Sequence, residues 1–410
     1  MTYKIKKQRE IIDRKKVFAE LEAIANDPAL KSFKRRTAVL NKLKSVLEAG
    51  RSVIRARFEE SNSGQDTVFS NSFLMDQIVR LIHDFATTFE YPLHNPTNEQ
   101  RMSVVAVGGY GRGDMAPHSD VDILFLFPYK QTAHGEQVVE FILYMLWDLG
   151  LKVGHATRSV DDCLRMGKQD ITIRTNLLES RFVWGDEETY HLFRTRFIEE
   201  LVKGSGIEFI EKKLGERDER HTRMGDSRYV VEPNVKDGKG GLRDLHTLFW
   251  IGKYLYRVNS PMELVELKVL TRKEARGFLK AQNFLWAVRC WLHYLSDREE
   301  DRLTFDMQRE IAERLGYTDH AGASGVERFM KHYYLMVKHV GNLTRIFCAA
   351  LEESHQRRPL IRFPGKLFGT KEIDGFELRN DRLTVESLDV FKKDPIKILR
   401  LFLVAHQNGV

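Results

Sequence analysis

Two aspartates separated by one residue precede an apolar run and could act together in chemistry. Asp120 and Asp122 occur in the sequence Ser-Asp-Val-Asp, at the start of a β-branched and aromatic run over residues 121–127. Side chains alternate between the two faces of a strand, so we expect both carboxylates on the same side. Carboxylates this close repel each other unless a hard cation lies between them, and oxygen ligands suit Mg²⁺. The spacing therefore predicts Asp120 and Asp122 as catalytic residues and as ligands of Mg²⁺.

A glycine-rich stretch just before the aspartates predicts a place for phosphate groups. The apolar residues 103–107 are followed by Gly-Gly-Tyr-Gly-Arg-Gly-Asp over residues 108–114. Because glycine has no Cβ, main-chain N–H groups in such a stretch can approach a phosphate closely. A triphosphate bridged by metal to the carboxylates could then react at phosphorus, with pyrophosphate as the leaving group. The residues expected to line the bound nucleotide here are Gly108, Gly109, Gly111, Arg112 and Ser119.

A second glycine-rich stretch carries cations and interrupts a helical region at residues 231–244. Its central part reads Lys-Asp-Gly-Lys-Gly-Gly-Leu-Arg. Lysine and arginine neutralise phosphate groups, so Lys239 and Arg243 are the candidate contacts for pyrophosphate. A helix-entry turn with solvated lysines is the alternative interpretation.

Two other nucleotide-binding motifs do not fit the sequence. A Rossmann fingerprint needs G-x-G-x-x-G at the start of an uninterrupted helix, but Pro117 and the aspartates follow the glycines too soon. A P-loop needs Gly-Lys followed by Ser or Thr, and this tripeptide does not occur.

The elements that must position these residues follow from the hydrophobic periodicity. Strands are predicted at residues 103–107, 121–127 and 151–157, and a polar loop at 60–66. Helices are predicted at 73–89, 138–149, 274–295 and 326–351, and the pattern is helical from about 170 to 353. Short β pieces, with turns at 364–365 and 374–375, and a last helix from residue 395 follow.

The predicted fold class is α+β and mostly helical, with a small α/β core. We divide the chain into an N-terminal helical segment (1–92), the core (93–185), a larger helical domain (186–355) and a segment of short β pieces and a helix (356–410).

Composition sets the class of protein and its compartment. With 410 residues, 42% hydrophobic and 30% charged, the chain is typical of a globular protein with more than one core. No apolar run approaches the roughly 18 residues of a membrane span, and no apolar segment follows the basic N-terminus, so we expect a cytoplasmic protein with no membrane partner. The three cysteines are far apart and predict neither disulfides nor a zinc site. A net charge of +7, spread widely, does not predict nucleic acid as the main partner.

Four separated motifs carry a family resemblance. The glycines at 108–109 together with Ser-Asp-Val-Asp resemble the signature of the DNA polymerase β-like nucleotidyltransferases. Three further motifs make the pattern specific to a smaller family. They are Leu-Lys-Val-Gly-His-Ala-Thr-Arg at 151–158, Thr-Asn-Leu-Leu-Glu-Ser-Arg at 175–181 and Glu-Pro-Asn-Val-Lys-Asp-Gly-Lys-Gly-Gly-Leu-Arg-Asp-Leu-His at 232–246. The full pattern resembles the N-terminal part of the bacterial uridylyltransferases of the nitrogen-regulatory signal protein PII.

The resemblance implies a reaction and a set of partners. UMP would move from UTP to a tyrosine hydroxyl of PII, with Asp120 and Asp122 as the metal ligands and Gly108 and Gly109 beside the triphosphate. Superfamily members usually carry a third carboxylate on a later strand, and residues 151–158 contain none. Asp170 and Glu179 are both candidates for it.

The resemblance also implies that the uridylyl-removing hydrolase and the glutamine-sensing ACT domains are absent from these 410 residues. We therefore expect transfer without removal. Two alternatives stay open: adenylyl or other nucleotidyl transfer to a different protein or to RNA, and a non-catalytic nucleotide-binding regulatory module.

Overall fold

A computed structural model describes residues 5–93, 97–356, 371–373, 376–379, 382–384 and 401. The chain divides into two compact units, residues 1–341 and residues 342–410. The fold is α+β and mostly helical, with one small mixed sheet in the first unit, which confirms the predicted class. The finer division into four segments stays a prediction.

Four helices precede the sheet: α1 (Gln8–Ile11), α2 (Arg14–Ala25), α3 (Ser32–Ser61) and α4 (Gly64–Phe85), followed by a π-helical turn (Ala86–Glu90). The polar loop predicted at 60–66 is shorter than expected. Asn62 adopts a left-handed conformation with φ 52° and ends α3, and the Ser63 side chain accepts a hydrogen bond from the backbone of Asp66 to begin α4. Two residues therefore suffice to reverse the chain.

The sheet contains β1 (Ser103–Ala106), β2 (Val121–Phe127), β3 (Val153–Ser159) and β4 (Arg181–Gly185) in the order β3-β2-β1-β4. Strand β1 pairs antiparallel with β2 and with β4, whereas β2 and β3 are parallel. The short helix α5 (Gly108–Arg112) follows β1, and α6 (Ala133–Asp148) makes the crossover from β2 to β3. The three predicted strands are confirmed to within two residues at each end.

Strand β4 lies where the sequence pattern was read as helical, so that interpretation was wrong. Its five residues are flanked by helices, only Val183 among them is fully buried, and they pair with the edge of β1 that β2 leaves open. The strand conformation there depends on a partner about 80 residues away in the chain, which local periodicity does not reveal.

One hydrophobic core joins the N-terminal helices to the sheet. It contains fully buried side chains from α3, α4, β1, β2 and α6, among them Leu43, Ile78, Val104, Phe125 and Ile142. This packing fixes the strands between helices, so the residues at the start of β2 are held by a rigid element.

Further α-helices in the described part of the chain are α7 (Val160–Gln169), α8 (Ile171–Leu178), α9 (Glu187–Arg196), α10 (Gly206–Arg223), α11 (Leu242–Tyr256), α12 (Glu263–Glu266), α13 (Arg272–Ser296), α14 (Phe305–Arg314) and α15 (Gly325–Gln356). A short 3₁₀-helix (Asn98–Gln100) precedes β1, and a π-helical turn (Phe197–Val202) follows α9. Helix α11 packs against α8, α10 and α13, and α13 packs against α4. The irregular stretch predicted at 231–244 is confirmed over 231–241, whereas residues 242–244 already form the first turn of α11. Among the described helices, none combines the length and the apolar character needed to cross a membrane.

In the second unit, β5 (Lys371–Ile373), β6 (Phe376–Arg379) and β7 (Arg382–Thr384) form an antiparallel sheet in sequence order. The short β pieces predicted after residue 357 are thereby confirmed. The turns predicted at 364–365 and 374–375 lie outside the described residues, as does the helix predicted from 395 apart from residue 401, which is helical.

Candidate active site

Asp120 and Asp122 line one cavity of about 730 Å³. Val121 and Ile123 point the other way and are each only 1% exposed, so strand alternation turns both carboxylates to the cavity. Neither carboxylate forms a hydrogen bond or an ion pair with any residue that the structure describes. Burial raises the pKa of Asp122, and the charge of Asp120 raises it further. An unpaired, partly buried pair of this kind fits a hard cation.

Two glycines provide the space that the side chain of Asp122 occupies. Gly108 has a φ of +57°, and a Cβ there would lie 2.8 Å from Oδ2 of Asp122. Gly154 is the register partner of Asp122 on β3, and a Cβ there would collide with Oδ1. The glycines therefore leave room for the carboxylate as well as for a ligand.

A buried ion-pair cluster forms one wall of the cavity. Arg112 donates from Nε to Asp114 over 2.9 Å and from Nη1 to Glu179 over 2.6 Å. Burial disfavours the charged guanidinium, but the two carboxylates outweigh this and raise the pKa of Arg112. Burial likewise opposes ionisation of Asp114, yet Arg112 and His246 hold the pKa of Asp114 well below its usual range. Arg112 is thus already neutralised by two acids and serves chiefly to order this wall.

Cations from α10, from the loop before α11 and from the first turn of α11 also line the cavity. Lys213 is buried, donates to Thr175 Oγ1 over 3.1 Å and lies 4.9 Å from the ring centre of Trp250. Arg243 lies 5.8 Å from the same ring, and its Nε donates to Asp237 over 3.2 Å. The cationic residues that line the cavity, besides Arg112, are Lys213, Arg217, Arg220, Arg223, Lys236, Arg243 and Arg289. This distribution suits a polyphosphate chain lying between the cations and the aspartates.

The contribution of α10 was missed in the sequence analysis. Lys213, Arg217 and Arg220 are spaced at i, i+4 and i+7, which places them on one helical face. That spacing was the available signal, although a basic helical face is usually a solvated one.

The structure brings most of the predicted ligand-binding residues together. Gly108, Gly109, Arg112, Ser119 and Arg243 all line the cavity with the two aspartates. The other two predicted residues lie elsewhere. A Cβ on Gly111 would lie 2.8 Å from the carbonyl oxygen of Ala106, so this glycine allows close packing of α5 on β1. Lys239 lines a neighbouring cavity and forms an ion pair with Asp226 at 2.6 Å.

Neither candidate for the third carboxylate extends the aspartate pair. Asp170 caps α8, accepting hydrogen bonds from the backbone of Thr172 at 2.6 Å and Ile173 at 3.0 Å. Glu179 lines the cavity, but its Oε2 accepts from Arg112 and its Oε1 accepts from the indole of Trp250. No group of three acidic, histidine or cysteine ligands occurs among the described residues. Oxygens of water and of substrate phosphates would have to complete the coordination of a metal on the pair, as Mg²⁺ allows.

Two protein families match parts of the chain and indicate its class. Residues 95–178, which contain β1 to β3 and both aspartates, match the nucleotidyltransferase domain family. Residues 208–348 match a family described as GlnD PII-uridylyltransferase. The chain therefore carries a nucleotidyltransferase domain joined to the helical region of that second family.

Comparison with curated proteins makes the assignment more specific. The chain is 54% identical over 412 aligned residues to the bifunctional uridylyltransferase/uridylyl-removing enzyme of Azospirillum brasilense, and 53% identical over 408 to that of Rhodospirillum rubrum. These alignments cover 100% and 99% of this chain and 44% of each relative. The chain thus corresponds to the N-terminal nucleotidyltransferase and helical region of such enzymes and spans less than half of their length.

Proposed function

We propose that this chain transfers UMP from UTP to a tyrosine hydroxyl of the signal protein PII, in the cytoplasm, with Mg²⁺ held by Asp120 and Asp122. The observation that carries the proposal is the pair of unpartnered carboxylates facing the same cavity as a set of cations. The relatives' designation as uridylyltransferases supports the choice of UTP. None of Cys163, Cys290 and Cys348 forms a disulfide, which is usual in a reducing compartment.

The proposed reaction is a single displacement at phosphorus. The phenolic oxygen forms a bond to the α-phosphorus of UTP, the bond from that phosphorus to the bridging oxygen breaks, and pyrophosphate leaves. Mg²⁺, when bound, would neutralise phosphate charge and stabilise the attacking and leaving oxygens. Tyrosine has a pKa near 10, so its proton must pass to a base or to solvent as the bond forms.

The chain's own residues position the nucleotide. Gly108 and Gly109 give the phosphates access to the backbone of α5, and Ser119 stands directly before the aspartates. Arg243 and the cations of α10 would neutralise the β- and γ-phosphates, and so favour departure of pyrophosphate. Trp250 holds Lys213 and Arg243 against its ring and so fixes the direction of two of these charges.

The deciding experiment offers the chain purified PII, Mg²⁺ and either UTP or ATP labelled at the α-phosphate. We expect label on PII from UTP only, and none on PII whose acceptor tyrosine is replaced by phenylalanine. Label from ATP alone would establish the adenylyl-transfer alternative. Nucleotide binding with no label transferred to any acceptor would support the regulatory module instead.

A further inference from the structure

A second cavity lies behind the Arg112 cluster. Its volume is about 580 Å³, and it is bounded by α4, β4, α9, α11 and α13. Among the described residues, only Arg112, Asp114 and Glu179 line both this cavity and the 730 Å³ cavity. The ion-pair cluster is therefore a wall between two separate spaces, each of a size typical of small-molecule sites.

The second cavity has a mainly apolar lining with a few polar groups. Phe69 and Trp286 meet edge-on, with ring centres 5.8 Å apart and planes at 67°. The other large apolar side chains that line the cavity are Phe249, Phe278 and Leu279. Apolar walls with a small number of polar contacts are the usual composition of a site for an organic ligand.

Two polar groups that line this cavity have no partner among the described residues: the ammonium of Lys253 and the Nδ1 atom of His246. The ammonium group of Lys253 forms no hydrogen bond or ion pair with any residue that the structure describes. Burial lowers the pKa of Lys253 to about 8, a value at which most of the ammonium is still charged at pH 7. His246 is only 6% exposed, and its Nδ1 has no hydrogen-bond partner among the described residues. Buried polar groups normally form hydrogen bonds or ion pairs, so the Lys253 ammonium and His246 Nδ1 are available to bind polar groups of a ligand.

The other charges that line the cavity are already satisfied. Arg181 makes a bidentate ion pair with Asp76 at 2.8 and 3.0 Å. Arg194 donates to the carbonyl of Leu177 and to Ser180 Oγ, and the acids of the shared wall are paired with Arg112. The charge that the cavity leaves uncompensated is thus the positive one of Lys253.

We propose that the 580 Å³ cavity is a second ligand site, which takes a small organic anion with an apolar body. The anionic group pairs with Lys253, and the body lies against Phe69 and Trp286. Nδ1 of His246, whose Nε2 faces Asp114 at 3.0 Å, accepts a hydrogen bond from a donor group of the ligand. Because the occupant touches the wall formed by Arg112, Asp114 and Glu179, its binding alters the transferase cavity on the other side. This coupling, unlike the binding itself, rests on the proposed transfer activity.

The binding is tested with 1-anilinonaphthalene-8-sulfonate, an aromatic sulfonate whose fluorescence rises in apolar surroundings. We expect one saturable site per chain in the wild type. Lys253→Met should weaken binding at least tenfold, and Lys280→Met, an exposed lysine of α13 outside the cavity, should leave it unchanged. Leu279→Trp, which fills the cavity, should remove binding as well. Wild-type affinity in both Lys253→Met and Leu279→Trp overturns the proposal.

The coupling is tested by the initial rate of UMP transfer at saturating UTP, with and without saturating probe. We expect the rate of the wild type to change at least twofold and the rate of Lys253→Met not to change. An unchanged wild-type rate, with the probe demonstrably bound, rules the coupling out. If no UMP is transferred under any condition, the proposed function fails, while the fluorescence titration still decides whether the second site exists.

Discussion

Asp122 on β2 stands in register with Gly154 on the parallel strand β3, and a Cβ at position 154 would collide with Oδ1 of Asp122. Strand β3, which itself carries no carboxylate, thus has at this position a residue that leaves space for the carboxylate of Asp122. The orientation of Asp122 depends on that space.

Gly154→Ala should therefore reduce transfer without unfolding the protein. The added methyl group would displace the carboxylate that we propose binds the metal, and a misplacement of about 1 Å can cost about 100-fold in rate. We expect kcat to fall between about 10- and 100-fold in steady-state assays of UMP transfer. Gly215→Ala on α10 is the control, because a Cβ there meets no atom within 4 Å. Equal activity of the two variants would contradict the role assigned to Gly154.

Arg243 and Lys239 should differ in their effect on UTP binding. Arg243 lines the cavity with the aspartates, whereas Lys239 lines a neighbouring one and pairs with Asp226. Loss of a charge-assisted hydrogen bond to phosphate costs about 1.5 to 3 kcal/mol. Arg243→Met should raise the KM for UTP at least about tenfold, and Lys239→Met should change it less than about twofold. The reverse ranking would place the triphosphate in the other cavity.

Arg112→Met should destabilise the fold. It would leave Asp114 and Glu179, which are 5% and 2% exposed, as buried acids without their cation. Breaking a buried pair in this way costs about 3 to 5 kcal/mol of the free energy of unfolding, measurable by urea denaturation at pH 7. Adding Glu179→Gln to Arg112→Met should recover part of the loss, and Arg309→Met, at an exposed position, should have little effect. A double variant less stable than Arg112→Met alone would argue against the pairing as the cause.

Protonation of His246 should weaken the fold as the pH falls. Burial, with the charge of Arg112 adding to it, lowers the pKa of His246 to about 3. The folded state therefore binds fewer protons than the unfolded state between pH 6.5 and about 3. The stabilisation is fully present above pH 6.5 and decreases below it, by about 2 kcal/mol at pH 5.

The measurement for His246 is the free energy of unfolding in urea at several pH values from 8 to 5. His246→Gln should show a shallower decline than the wild type, because glutamine does not titrate. His191→Gln, at an exposed histidine, should follow the wild-type curve. A decline in His246→Gln as steep as in the wild type would assign the pH effect to other groups.

The parts of the fold that could be predicted are those specified by nearby residues. Strands β1 and β2 are mainly apolar runs, with Ser103 and Asp122 as their polar members, that end close to glycine and proline, so their state follows from the local sequence. Strand β4 could not be predicted, because its conformation comes from pairing with β1. The chain reversal at Asn62 and Ser63 was not predicted either, because the polar composition indicated a longer loop, whereas these two residues alone cap the adjoining helices.

The residues of the site also fall into those that could be predicted from the local sequence and those that could not. Asp120, Asp122 and the glycines of α5 are close in sequence and share a motif, so their proximity could be expected. The sequence identified Glu179 as a candidate acid of the site but not its role, because Arg112, which forms an ion pair with it, is 67 residues away in the chain. The cations of α10 reach the cavity only because α10 packs against α11, a tertiary contact with no local signature.

The most direct measurement compares UMP transfer to PII by the wild type with that by Asp120→Asn, Asp122→Asn and Asp237→Asn. All three aspartates line the same cavity, but only Asp237 is bonded to an arginine, Arg243. If Asp120 and Asp122 hold the metal, each of their variants should lose at least about 1,000-fold in kcat while remaining folded, and Asp237→Asn should lose no more than about tenfold. Transfer by Asp122→Asn at a rate within tenfold of the wild type would contradict the account.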